Sequence, residues 1–117
     1  MNKEYRVKKN TEIEAILKEK NCRSNPYFSI YKKTNLETSH FRYAMSVGKK
    51  IGNAVTRNRY KRLISSAVSN LNIKLDLNVD VFIIARAKVT ELDYNKIYKE
   101  IEYLFKKQNL LNQGEKK

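Results

Sequence analysis

The sequence predicts an α+β sandwich with the element order α-β-β-α-β-α. Three observations carry this. Residues 27–33 and 41–47 alternate apolar with polar side chains, residues 79–85 are apolar on both faces, and two longer segments repeat apolar residues at spacings of three and four. In the first helix Thr11 is read as the cap of a segment starting near Glu12, with Glu14 at capping-box spacing. Ile13, Ile16 and Leu17 share its apolar face, and it ends near Lys20. Asn25-Pro26 breaks the chain. In the first strand Phe28 and Ile30 face one way, and Tyr27, Ser29 and Tyr31 the other. The polar residues 34–39 read as a hairpin connection to the second strand, where Phe41, Tyr43, Met45 and Val47 oppose Arg42, Ala44 and Ser46. Residues 53–72 form a helix with Tyr60, Leu63, Ile64, Ala67, Val68 and Leu71 on one stripe. The strand at 79–85 is central or covered on both sides, and the helix before it makes the connection a crossover between parallel strands. Asp93 caps a last helix carrying Tyr94, Ile97, Tyr98, Ile101, Leu104 and Phe105.

A length of 117 residues fits one domain over residues 1–117, with a basic arm at 1–10 anchored by Tyr5 and Val7 and a frayed polar tail at 109–117. The chain carries 25 Lys plus Arg against 12 Asp plus Glu, a net charge of +13. So large an excess calls for a polyanionic partner, while 41% hydrophobic residues exclude a disordered basic tail. The single cysteine, Cys22, and single histidine, His40, exclude an intrachain disulfide and a cysteine-based zinc site. No stretch has the length of a membrane span, and residues 1–10 lack the apolar run of a signal peptide, so a cytoplasmic protein with no membrane partner is expected.

The charge is unevenly placed. Residues 38–75 hold no acid at all, but do hold Arg42, Lys49, Lys50, Arg57, Arg59, Lys61, Arg62 and Lys74. A surface with no acids repels itself until an anion neutralises it. Within the window, Gly48 and Gly52 bracket a strand-to-helix turn. There, positive φ, uncovered amides and Lys49 or Lys50 suit a phosphate. On the following helix Asn58, Arg59, Lys61 and Arg62 spread over an arc of roughly 160° opposite the apolar stripe, and Arg57 borders the two. Arginines offer forks for phosphates, and the Asn58 amide can bond a base or a sugar hydroxyl.

The run Lys49-Lys50-Ile51-Gly52-Asn53-Ala54-Val55, then Arg57-Asn58-Arg59, then Lys61-Arg62-Leu63-Ile64 resembles the RNR motif of bacterial ribonuclease P protein subunits. Arg6-Val7 with Lys8-Lys9-Asn10 resembles the family's entry to the first helix, and Asn25, Phe28 and Tyr31 its first strand. The last strand with its terminal arginine is matched by Phe82-Ile83-Ile84-Ala85-Arg86, and the final helix by Leu92, Tyr94 and Leu104-Phe105. The resemblance implies a left-handed β-α-β crossover of the ribosomal protein S5 domain 2-like kind. It implies two partners, ribonuclease P RNA and precursor tRNA, with no obligate protein partner, and a role in removing the 5′ leader. The RNA would do the chemistry and bind most of the Mg²⁺ as cofactor. Carried onto this chain, it places catalytic-RNA contact on Lys50, Asn53, Arg57, Asn58, Arg59, Lys61 and Arg62. It places the leader in a cleft lined by Ile13, Leu17 and Tyr31. The chain departs from the family where Ile13 and Leu17 replace phenylalanines, Ser65 a frequent arginine, and Ala87-Lys88 a proline-bearing turn.

No nucleophile-base pair or paired carboxylate motif stands out, so neither catalytic residues nor a metal site on the protein are expected. Glu12, Glu14 and Glu19 read as capping residues and partners of Lys18 and Lys20, Cys22 as an incidental thiol and His40 as a loop residue. The alternatives are a ribosomal protein or ribosome-assembly factor, for which +13 is equally apt, and a DNA-binding helix, which lacks a preceding helix-turn-helix spacing.

Overall fold

The computed structural model describes residues 3–112. It contains α1 (Asn10–Lys18), β1 (Cys22–Ser24), β2 (Phe28–Thr34), β3 (Arg42–Val47), α2 (Ala54–Asn70), β4 (Val79–Ala85) and α3 (Tyr94–Lys107). The strands form one sheet in the order β1-β2-β4-β3, in which β3 and β4 are parallel and the other pairs antiparallel.

The apolar run of β4 explains its place. Val79, Val81, Ile83 and Ala85 enter a large core with α2 and α3, while Phe82 and Ile84 join a second cluster with α1. A strand apolar on both faces needs cover on both, and a central position supplies it. This corrects the expected hairpin: β2 and β3 never pair, because β4 lies between them. Their polar connection instead folds back through Asn35, whose backbone N–H bonds the Asn78 carbonyl at 2.8 Å. The short strand β1 is an addition, since three residues give no alternation to read.

Asp93 caps α3 as expected, and Asn53, expected as the first residue of its helix, caps α2; their side chains accept from the backbone N–H of Lys96 and Thr56. The expected Thr11 cap is absent. α1 begins at Asn10, two residues before the expected start near Glu12, follows Lys9, and has no side-chain cap. Tyr27 also departs from the alternation. It precedes β2, where the Asn25 side-chain Oδ1 accepts from the Tyr27 and Phe28 backbone N–H groups, and it packs against the large core.

Both chain ends dock where the described residues extend. The expected N-terminal arm contributes buried Val7, whose N–H bonds the Tyr43 carbonyl at 2.9 Å. Within the expected tail, Leu110 is fully buried, its carbonyl accepts from the Lys74 N–H, and Leu111 bridges Ile73. Buried Gln108 ties this end to the sheet by donating to the Ile30 and Asn21 carbonyls. Residues 1–2 of the arm and 113–117 of the tail lie outside the described residues.

Candidate nucleic-acid interface

The junction between β3 and α2 sets the geometry. After β3 a single 3-10 turn, Lys49–Ile51, buries Ile51 and leaves Lys49 and Lys50 exposed. Gly52 follows at φ +155°, where an added Cβ would sit 2.9 Å from the Thr56 Cγ2, so the turn requires glycine. Gly48 does not share this reason; its φ is −81° and a Cβ there would meet nothing.

α2 then presents two faces. Tyr60, Ile64, Ala67 and Val68 are buried, whereas Asn58, Arg59, Lys61 and Arg62 are exposed. Two of the expected contact residues carry structural duties as well. The Asn53 oxygen is committed to the Thr56 N–H, and the Arg57 Nε donates to the Gly52 carbonyl at 3.2 Å. Arg57 therefore braces the turn from inside the helix, with its guanidinium only partly exposed.

The acid-free window does not stay acid-free in space. Arg42 reaches Asp80 through Nε at 2.9 Å and through a terminal nitrogen at 2.8 Å, and the same nitrogen meets Glu12 at 3.0 Å. The Asp80 hydrogen bonds, opposed by burial and reinforced by Glu12, raise the Arg42 pKa above the usual arginine value. Arg42 thus leaves the list of free cations, and Glu12 pairs with it rather than with Lys18 or Lys20. These are the only two ion pairs among the described residues. Arg59, Lys61, Arg62, Lys49 and Lys50 keep uncompensated charge there.

The sheet face under α1 holds the second group. Register places Lys33, Asp80 and Arg42 in one row, Tyr31, Phe82 and Ala44 in the next, and Ser29, Ile84 and Ser46 in a third. Ile13, Leu17 and Tyr31 all pack on the cluster of Val7, Ile16, Ala44 and Phe82, so the structure brings the three expected cleft residues together. All three remain partly exposed, so an apolar strip stays open beneath α1.

At the third row lies a cleft of about 900 Å³. Ser46 and Ile84 lie in it, and Lys49, Lys50, Arg86 and Lys88 line it. Sequence reasoning missed Lys88 and the convergence of these four cations, because Lys50 and Arg86 become neighbours only through the parallel pairing of β3 with β4. This sheet face is apolar beneath α1 and basic at the β3–α2 junction. That combination suits bases on one part and phosphates on the other.

The family model described as Ribonuclease P matches residues 1–109. The chain belongs to the ribonuclease P protein family. A ribonuclease P protein component from Bacillus cereus strain G9842 is 37% identical over 110 residues, covering 94% of this chain and 96% of its own. The ribonuclease P protein of Staphylococcus aureus, solved at 2.0 Å, superposes with a TM-score of 0.82 at 35% identity, over 92% of this chain and 98% of its own. The Thermotoga maritima ribonuclease P protein, at 23% identity and a TM-score of 0.77, shares the fold across 93% of this chain and 98% of its own. The function of the chain is accordingly that of a ribonuclease P protein component in tRNA 5′ maturation, part of an endoribonuclease assembly, and nothing favours the ribosomal alternative.

Proposed function

We propose that this protein acts in ribonuclease P as a two-surface RNA adaptor. The exposed arc of α2 grips the catalytic RNA, and the groove under α1 holds the 5′ leader of precursor tRNA. Arg59, Lys61, Arg62 and Asn58 make the direct contacts to catalytic RNA, joined by Lys50. Asn53 and Arg57 contribute by fixing the turn from which the helix starts. Tyr31 offers a ring to an unpaired leader base, with Ile13 and Leu17 lining the opposite side.

The observation that carries this reading is the pairing census: Arg42 alone is neutralised by acids among the described residues, and the cations of the α2 arc are left for an outside anion. Hydrolysis belongs to the RNA in this reading. Most of the Mg²⁺ is held by the RNA in this reading. The protein contributes binding energy and charge neutralisation, which lets the assembly work where bulk Mg²⁺ is scarce.

A cleavage assay tests it. Precursor tRNA is incubated at low Mg²⁺ with the protein, with cognate catalytic RNA, and with both. Strong cleavage is expected only from the pair. Cleavage by the highly purified protein alone would overturn the assignment of chemistry to the RNA.

A further inference from the structure

The N-terminal segment meets α2 at the outer edge of β3. Arg6 forms a parallel bridge with Tyr43, its guanidinium carbon lies 4.7 Å above the centre of the Tyr43 ring, and Val7 locks the register. Tyr43 is itself 1% exposed, so the platform under Arg6 is rigid. Beside it lies a cavity of about 400 Å³ lined by Arg6, Met45, Lys61, Arg62 and Ser65. No acid lines it, and none of the three cations takes part in an ion pair among the described residues. The Arg6 Nε is buried without a hydrogen-bond partner. A guanidinium with an unpaired nitrogen, beside two further cations and a hydroxyl, is a hydrogen-bond set that an anion can complete.

We propose that this cavity binds a phosphodiester group of the RNA held by α2, with Arg6 and Arg62 flanking the phosphate, Lys61 supplying charge and the Ser65 hydroxyl donating a hydrogen bond. The inference rests on the reading of α2 as an RNA surface and extends it to a residue far from the basic run. It also gives Ser65 a role. A long cation at that position would fill the space between Arg6 and Arg62, whereas serine leaves the cavity open. The ring beneath Arg6 holds the guanidinium in place before the anion arrives, which reduces the ordering cost of binding.

The test uses the full chain and its cognate catalytic RNA, in wild type, Arg6→Gln and Ser65→Glu. Inorganic phosphate should raise the wild-type Tm by binding the folded state, and both variants should lose that rise. For RNA binding, each variant should weaken affinity roughly tenfold at fixed salt and reduce the slope of log K against log salt by about 0.7–0.9. Lys99→Gln, a cation on α3, should change neither. Ser65→Glu leaves Arg6 on its ring, so it decides the matter if Arg6→Gln fails to fold. Wild-type RNA affinity in both pocket variants, alongside loss in Arg59→Ala, would overturn the pocket and leave α2 standing. Wild-type affinity in all three would overturn the reading beneath it. A phosphate response abolished in the variants without any change in RNA binding would mean a free-phosphate site and would overturn the phosphodiester assignment.

Discussion

On one face of the sheet, α2 and α3 bury Phe28, Ile30, Val81, Ile83, Ile64, Ile97, Ile101 and Phe105 completely. On the other, α1 fully buries only Ile16; Val7, Ala44 and Phe82 keep 4–8% exposure, and Ile13, Leu17, Tyr31 and Ile84 are partly open. The first face is held mainly by apolar area, with buried Gln108 tied to the Ile30 carbonyl. The second is held by one buried side chain from the helix and by the Glu12–Arg42–Asp80 network at one end. A helix that is pinned at one end by charge can leave apolar surface uncovered at the other, and that uncovered surface is what a single-stranded ligand needs. The cost is stability: the α1 face gives up burial that the α2–α3 face exploits.

The largest effect should come from the closed face. Phe105→Ala is expected to destabilise the fold by about 3–5 kcal/mol, whereas Ile16→Ala should cost about 2–3, because groove side chains can collapse into part of the space. Urea midpoints of the two variants check this. Equal losses would mean that the α1 face is as tightly packed as the other.

Arg42→Ala comes next. It strands Asp80, whose side chain is 3% exposed, with only the Asn35 amide as partner. A loss of about 3 kcal/mol is expected, toward the low end for a broken buried pair because Arg42 itself is 18% exposed. Glu12→Gln should cost far less, since Glu12 is 31% exposed and its bond to Arg42 can persist in neutral form. A loss for Glu12→Gln as large as that for Arg42→Ala would show that α1, rather than the Asp80 carboxylate, is what the network sustains.

The contrast between the faces was only half visible in the sequence. The stripes of α2 and α3 were legible because periodicity and the apolar residues agree locally, with the Asp93 cap beside them for α3. The central position of β4 was legible from its doubly apolar run. The strand order was not: the polar residues 34–39 satisfy every local criterion for a hairpin, and only the demand of β4 for two neighbours separates β2 from β3. The Arg42–Asp80 pair spans 38 positions and depends on that same pairing, so Arg42 looked like one more free cation. The Val7 anchor was legible in the basic arm, whereas the docked C-terminal end was not, since Leu110-Leu111 is too short an apolar run to show a period. At the site, Ile13, Leu17 and Tyr31 pack on one cluster, while the convergence of Arg86 and Lys88 on Lys49 and Lys50 needed the register of β3 on β4.

Within α2 the comparison sharpens to two arginines two residues apart. Arg59 is exposed without a partner among the described residues, and Arg57 donates to the Gly52 carbonyl. Arg59→Ala is expected to weaken binding of catalytic RNA by about 1–3 kcal/mol and leave the melting temperature unchanged. Arg57→Ala should weaken binding by a similar amount and also lower the melting temperature, because the turn loses its brace. Paired melting and RNA-binding measurements separate the two. Identical behaviour would mean that the Arg57 bond to the turn contributes nothing.

The smallest expected effect tests the open face itself. Tyr31 stands in the row with Phe82 and Ala44, packs on the cluster beneath α1, and is partly exposed. One ring stacked on one unpaired base is worth about 1 kcal/mol when half of the ring already contacts protein, near the bottom of the usual range. Tyr31→Ala should therefore weaken binding of leader-bearing precursor tRNA to the assembled ribonucleoprotein several-fold and leave binding of mature tRNA unchanged. Tyr31→Phe keeps the ring and should keep the affinity, which separates stacking from any contribution of the hydroxyl. Ile13→Phe with Leu17→Phe should strengthen leader binding, since both positions border the groove and neither is fully buried. Dissociation constants for the two tRNA forms at one salt concentration decide the matter. If Tyr31→Ala weakens both forms equally, the tyrosine supports α1 and not the leader, and the openness of this face then needs another explanation.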